Sequence, residues 1–350
     1  MCFKMPMTIA LLFLMQTLLA FSDESKKDES KNDEGKLRII CFGAHPDDAE
    51  YKSGGVAALW AAQGHHVKLV SVTNGDIGHW EMSGGELAIR RTAESALVAK
   101  RLGVTSQVLD IHDGELLPTL ENRRTITRLI RDWNADIVIA HRPWDYHPDH
   151  RYVGVLVQDA AYMVAVPFFC PDVPPLKKNP VFLYSSDSFR KPNPFQADIA
   201  VDIGPVFEQK IDALMALESQ TFEGGALGSA QQTAANPPAS QPDLRRKWLR
   251  ERWVTRHTAE AKRNRQILAR WYGAERAEKI ELFYLPSYSP EFNPEERLNA
   301  DMKHTITSKV PMRTKAKLRA AAVDHMTMLE QTPERVKKYF GDPKVAYAAS

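Results

Sequence analysis

From Leu37 onward, short apolar runs of strand length alternate with longer stretches whose apolar residues recur at helical spacing. LRIICFGA, starting at Leu37, is largely apolar, as a strand buried on both faces should be. SGGVAALWAAQG then reads as a helix ending at Gly64, a residue suited to the left-handed cap. VKLVSVTNG is the second strand. GELAIRRTAESALVAKRLG follows as a helix, with Ile89, Ala93, Ala96 and Leu97 on one face and Gly103 as its stop. SQVLDI, a helix over about 121–133, ADIVIAH, a helix from His150 to about Val164, and VFLYSS continue the series. This alternation predicts an α/β fold with a parallel sheet and helices on both faces. In that architecture ligands sit outside the carboxyl ends of the strands. Two stretches fall there: FGAHPDDAEY at 42–51 and HRPWDYHPDHR at 141–151.

Composition sets the bounds. With 350 residues, 43% of them hydrophobic, the chain can bury one sizeable core and has room for a second small unit. A net charge of +2 singles out no partner. Three cysteines exclude a disulfide framework, and Cys41 reads as a small buried hydrophobe. Residues 1–22 have the make-up of a signal peptide: Lys4, then MTIALLFLMQTLLA, then Ala20 and Ser22 at the small-residue cleavage positions. The expected product is secreted or periplasmic, with no stable membrane span after cleavage. Residues 23–36 mix charges of both signs and read as a solvated linker.

The chemistry lies in the two strand-end stretches. Asp47, Asp48 and Glu50 crowd against His45, and like charges so close repel unless a cation belongs among them. In the second stretch His147 and His150 are three apart, with Asp149 a natural cap for the helix beginning there. A catalytic zinc needs three protein ligands and one open position, which His45, Asp48 and His150 supply for one ion per chain. Asp47 is then placed to take a proton from the attacking water. His147 can hold the oxyanion as an imidazolium or protonate the leaving amine. Glu50 and Asp149 fall in the surrounding layer, Glu50 as the acceptor that orients a ligand histidine. Thr73, Asn74 and Gly75 of TNGDIG are candidates for the substrate cleft, with a plain glycine-bearing loop as the alternative. Arg91 is a further cleft candidate unless it merely pairs with Glu94 along its helix. His65, His66, His79 and His112 carry no partner motif. Residues 224–243 read as a flexible insertion.

AHPDDAE after the first strand, TNGDIG after the second, RTAE in the next helix and YHPDHR after the fourth strand together resemble the PIG-L (LmbE-like) family of zinc-dependent de-N-acetylases. The likeness covers about 37–279. It implies a Rossmann-like three-layer sandwich and a substrate that is a small N-acetylated sugar or an N-acetylglucosamine-containing glycoconjugate. It also implies His45, Asp48 and His150 as zinc ligands, Asp47 as general base, and His147 as stabiliser of the tetrahedral intermediate.

A second likeness covers 280–350. IELFYLPSYSPEFNPEERLNADMKHTI is similar to the end of a mariner-like DDE transposase, with Glu296 matching the last metal-binding carboxylate. The two aspartates that would complete a two-metal site are absent. The expectation is a partial, mainly helical appendage left by an insertion element, adding neither DNA cleavage nor essential stability, with no functional nucleic-acid binding. The alternative to an active deacetylase is a chimera that binds metal and sugar but turns over poorly. A transposase remnant that binds DNA is disfavoured.

Overall fold

The computed structural model describes residues 35–280, the backbone of 283–284 and 286–287, and the isolated positions 327 and 331. The expected signal peptide, nearly all of the linker, and Glu296 lie outside the described residues.

In chain order the main elements are β1 (Arg38–Gly43), α1 (Asp48–Ala62), β2 (His66–Ser71), α2 (Gly85–Leu102), β3 (Thr105–Val108), α3 (Leu120–Asp132), β4 (Ile137–Ala140), α4 (Pro148–Met163) and β5 (Val181–Ser185). They are followed by β6 (Val201–Asp202), α5 (Phe207–Leu214), α6 (Glu218–Thr221), α7 (Ala230–Ala235), α8 (Pro242–Arg263), α9 (Arg265–Tyr272), α10 (Ala274–Lys279), β7 (Phe283–Tyr284) and β8 (Pro286–Ser287). The main sheet has the order β3-β2-β1-β4-β5-β8. Its first five strands are parallel, and β8 joins β5 antiparallel. β1 lies at the centre, Ile39 pairing with Val67 on one side and Ile137 on the other.

Alternate residues of β1 feed two cores. Ile39 and Cys41 pack with α1, α2, α5 and α8 through Val56, Leu102, Phe207, Ile211 and Trp253. Ile40 and Phe42 pack with α3 and α4 through Ile126, Ile130, Val153 and Leu156. Burial on both faces is why the strand reads as apolar throughout. The result is the expected three-layer α/β architecture, with β1 and β4 ending side by side at one rim.

The β1–α1 turn is unusually tight. A Cβ on Gly43 would lie 2.6 Å from the Asp48 Cβ, so only glycine lets the start of α1 fold back onto the strand end.

Three expectations fail. On α2 the buried face is Leu87, Arg91, Glu94, Ser95 and Val98, while Ile89 is 74% exposed, so the apolar stripe faces outward. Segment 224–243 is folded rather than flexible: it holds a 3-10 turn at Gly225–Leu227 and α7, tied down by Asn236 Nδ2 donating to the Phe222 carbonyl at 2.6 Å. Finally, the appendage starts inside the fold. Ile280 is buried in a third cluster with Ala200, Ala261, Leu268 and Ala277, and β7 pairs with β6. Among the described residues no helix is long and apolar enough to cross a membrane.

Candidate functional site

The β1–α1 turn brings His45 and Asp48 to the rim, and the first turn of α4 brings His150. His45 Nδ1, Asp48 Oδ2 and His150 Nε2 form a triangle with sides of 3.3, 3.3 and 3.2 Å. A tetrahedral ion with bonds of roughly 2.0–2.1 Å has ligand–ligand edges of about 3.3–3.4 Å. The histidines' far nitrogens are engaged elsewhere. His45 Nε2 faces Asp113 Oδ1 at 2.9 Å and Asp149 Oδ2 at 3.3 Å, and His150 Nδ1 faces Asp145 Oδ2 at 3.0 Å. Those carboxylates accept from the ring N–H groups, which leaves two nitrogen lone pairs and a carboxylate oxygen converging on one point. Three such atoms with no proton among them repel; a cation relieves it. The donor set therefore fits a divalent metal with a vacant fourth direction for water or substrate.

His141 could supply a competing ligand, since its Nε2 is 3.4 Å from Asp48 Oδ2. That nitrogen instead lies 3.2 Å from the Ala44 backbone N–H. His141 also stacks on His150 with ring centres 4.3 Å apart, so it acts as a backing plate. Its pKa falls to about 3 through burial and then the Lys52 charge, which keeps it neutral.

The electrostatics agree with a cation site. Burial opposes charge on His150, yet Asp48 and Asp145 outweigh it and lift its pKa to about 9. Burial likewise opposes charge on His45, whose pKa is nevertheless raised well above the ordinary value by Asp113, Asp149 and Asp48. The carboxylates demand positive charge here, and in a metal-free protein protons provide it.

Asp47 lies beside the triangle, within 4.8 Å of ligand atoms of His45 and Asp48, but has a partner of its own. Its Oδ1 accepts from Arg91 Nη2 at 3.1 Å, and burial raises its pKa despite the arginine. Arg91 also donates to the Gly75 carbonyl at 3.1 Å and is 2% exposed. A Cβ on Gly75 would sit 2.5 Å from Arg91 Nη1, and one on Gly78 would collide with the same atom. The glycines of TNGDIG thus make room for a buried guanidinium. Arg91 belongs to the site rather than to a pair with Glu94, which is held by Ser219 Oγ at 2.6 Å and by Arg90.

His147 is the N-cap of α4, its Nδ1 accepting from the Asp149 backbone N–H at 3.2 Å. Asp149 is therefore not the cap. Its carboxylate accepts from the Gly114 and Leu116 backbone N–H groups as well as from His45. With Nδ1 acting as acceptor, the neutral His147 ring carries its proton on Nε2. Burial and then the His45 and His150 charges lower its pKa, which favours the neutral ring.

Glu50 does not orient a ligand histidine. It accepts from Ser95 Oγ at 2.5 Å, and burial pushes its pKa up to about 7. Thr73 and Asn74 do not line the cleft: Thr73 Oγ1 donates to the Ala44 carbonyl at 2.8 Å and Asn74 Nδ2 to Asp110 at 3.0 Å. Ile77 and Gly78 of the same loop line it instead, beside Arg91, Asp113, Gln220 and Ala226, around a cavity of about 300 Å³. Asp113, Asp145 and His141 escaped the sequence reading. The one available signal was position, because each follows the end of a strand. The histidines without a partner motif are engaged all the same: His79 faces Glu223 at 2.9 Å and its Nδ1 accepts from the Glu81 and Met82 backbone N–H groups. His112 faces Asp76, and His65 Nδ1 accepts from the Leu37 backbone N–H at 3.1 Å.

The model for the PIG-L family, described as GlcNAc-PI de-N-acetylase, matches residues 40–161, a span that contains the whole triangle. A model for the DDE superfamily endonucleases matches 254–319, so that likeness begins within α8, well before the expected boundary at Ile280. Over 194 residues the chain is 35% identical to the diacetylchitobiose deacetylase of Thermococcus kodakarensis, covering 52% of this chain and 70% of that protein. It is 26% identical over 192 residues to the 4-oxalmesaconate hydratase of Pseudomonas putida, covering 52% and 73%. Its fold resembles that of the N,N'-diacetylchitobiose deacetylase from Pyrococcus horikoshii complexed with an inhibitor. The TM-score is 0.52 at 23% identity, covering 83% of this chain and 95% of the other.

Proposed function

The chain belongs to the PIG-L family of metal-dependent de-N-acetylases, and from that premise we propose that it hydrolyses the N-acetyl group of an N-acetylglucosamine-type sugar or glycoconjugate, with one zinc ion held by His45, Asp48 and His150. The observation that carries the reading is the 3.2–3.3 Å triangle of His45 Nδ1, Asp48 Oδ2 and His150 Nε2 backed by Asp113, Asp149 and Asp145. Zinc at that position supplies Lewis acidity toward the amide carbonyl and makes the attacking water more acidic.

The chain's own residues do the rest. Asp47 takes the proton as the water oxygen bonds to the carbonyl carbon, and Arg91 fixes the carboxylate that receives it. Its raised pKa lets Asp47 hold that proton until the carbon–nitrogen bond breaks. His147 Nε2–H donates to the oxygen that gains charge, a role its neutral tautomer suits. The departing amine leaves with the proton parked on Asp47, and acetate remains. Gln220 and Ala226 close the far wall of the pocket.

The test is acetate release from N-acetylglucosamine and from N,N'-diacetylchitobiose by zinc-loaded and by chelated protein. Release that chelator abolishes and zinc restores supports the reading. Release indifferent to chelator would sink it. From residues 1–22 we further propose export, which predicts a periplasmic or extracellular chain whose first residue lies near Asp23.

A further inference from the structure

The four residues of α6, Glu218–Thr221, are each held by a group from a different part of the fold. Glu218 pairs with Arg245 of α8 at 2.9 Å, and Thr221 Oγ1 lies 2.7 Å from the Tyr51 hydroxyl of α1. Gln220 Nε2 donates to the Gly78 carbonyl at 2.9 Å. Ser219 is gripped by Glu94 of α2, whose two carboxylate oxygens accept from its backbone N–H at 3.1 Å and its Oγ–H at 2.6 Å. A single helical turn has no stability of its own, so such partners decide where it sits. The Glu94 contact is the deepest of them. Ser219 is fully buried and Glu94 is 8% exposed. Burying a carboxylate costs free energy that its hydrogen bonds to Ser219 and its pairing with Arg90 at 3.3 Å must offset.

From Glu94 a chain of donors and acceptors runs to the catalytic pocket. An ionised carboxylate only accepts, so the Ser219 hydroxyl proton goes to Glu94 and a lone pair of Oγ is left for another donor. That lone pair accepts from Gln220 Nε2 at 3.1 Å. Both N–H bonds of the Gln220 amide are then spent, one on Ser219 Oγ and one on the Gly78 carbonyl, and the amide cannot turn over. What remains is the amide oxygen of a side chain that lines the catalytic pocket. Gly225 makes room for it, since a Cβ there would come within 2.5 Å of Gln220 Oε1. We propose that Glu94 is a positioning residue, which acts through Ser219 to offer the Gln220 oxygen to a hydroxyl or N–H of the bound substrate. Without the carboxylate the Ser219 hydroxyl rotates freely, and the Gln220 amide can put an N–H where the acceptor was. The consequence falls on substrate binding, because neither Glu94 nor Ser219 bonds to the zinc triangle or to Asp47. The inference rests on the deacetylase reading above.

The experiment measures kcat and KM for acetate release from N,N'-diacetylchitobiose by the zinc-loaded full chain and by Glu94→Ala, Ser219→Ala and Gln220→Ala. Each variant should raise KM about tenfold, the size of one lost contact of about 1.4 kcal/mol, with kcat within about twofold of wild type. Adding Glu94→Ala to Gln220→Ala should raise KM no further, because both act on one acceptor. An unchanged KM in Glu94→Ala and Ser219→Ala, or effects of Glu94→Ala and Gln220→Ala that multiply, overturns the proposal. A purely structural Glu94 would lower the melting temperature and leave KM alone. Ser219→Ala keeps the backbone N–H bond to Glu94, so it serves if Glu94→Ala does not fold. Calorimetric titration with glucosamine, the amine left when N-acetylglucosamine is deacetylated, stands apart from turnover. Its Kd should rise about tenfold in Glu94→Ala and in Ser219→Ala. The same Kd in all three proteins, or binding by none of them, overturns the proposal. Wild-type protein that binds glucosamine but releases no acetate would instead strike the deacetylase reading.

Discussion

Asp47 and Asp48 are neighbours in sequence and opposites in surroundings. Asp48 Oδ2 accepts from the Ala44 and His45 backbone N–H groups at 3.0 and 2.9 Å, and its pKa is lowered because His150 and His141 overcome the effect of burial. Asp47 has burial and one arginine. Asp48→Ala or His150→Ala should therefore lose zinc, checked by metal analysis after dialysis, since two remaining ligands do not make a tight site. Asp47→Asn should keep zinc and lose on the order of 100- to 10,000-fold in turnover. Zinc retained by Asp48→Ala but lost from Asp47→Asn would reverse the two roles. Asp113→Asn should weaken zinc binding roughly 10- to 100-fold while leaving the melting temperature nearly unchanged, because it disturbs the hydrogen bond that orients His45. The proposed ligands could be picked out because their types and spacing announce them. Asp113 and Asp145 were not, because which carboxylate meets a ring's far nitrogen is decided by loop packing and not by spacing.

Among the elements, strands and helices followed the pattern closely, and α2 shows where pattern reading breaks. Ile89, Ala93, Ala96 and Leu97 share a face as expected, but it is the exposed one: the site needs Arg91 inward, and Glu94 and Ser95 follow because Ser219 and Glu50 satisfy them. Partners made across 45 to 125 residues outweigh a helix's own stripe. α5 carries a similar surprise in Lys210, which is 1% exposed. Its Nζ donates to the Tyr51 carbonyl at 2.9 Å and lies 4.1 Å over the Trp253 ring, tying α5 to α1 and α8. Burial, then the Arg256 charge, lowers its pKa to about 7 from an ordinary 10.5. The folded state thus binds fewer protons than the unfolded state between about pH 7 and 10.5, and this group's contribution to stability rises with pH across that window. Denaturation of wild type and Lys210→Met at pH 7 and pH 9 isolates it. The wild type should gain on the order of 2 kcal/mol more than the variant between those values. Equal gains would mean that Lys210 has found a partner for its charge.

At the scale of the molecule, the sheet and the rim that carries the site could be read in advance, because alternating periods and strand-end chemistry are local signals. The boundary between the two likenesses could not. The endonuclease-like stretch begins at residue 254, and from there the chain contributes His257, Ala261, Leu268, Ala277 and Ile280 to buried positions. Trp271 Nε1 donates to the Asp198 carbonyl at 2.9 Å, and the Tyr272 hydroxyl accepts from the Asp202 backbone N–H at 2.8 Å. β8 then covers the β5 edge that the parallel sheet would otherwise leave open. The part of this stretch before residue 280 was expected to belong to the deacetylase domain, and only 280–350 to a dispensable appendage. The stretch shares the domain core because an exposed sheet edge and the apolar surface around Ala200 accept a chain that can pair and pack there. Leu268 decides whether that cover is part of the fold. It is fully buried, and Leu268→Ala should cost about 2–5 kcal/mol, enough to lower the melting temperature by roughly 5–15 °C. Zinc binding at 25 °C should survive, since none of the three ligands lies on α9. A melting temperature matching wild type within a degree would show that the endonuclease-like stretch merely rests on the deacetylase domain.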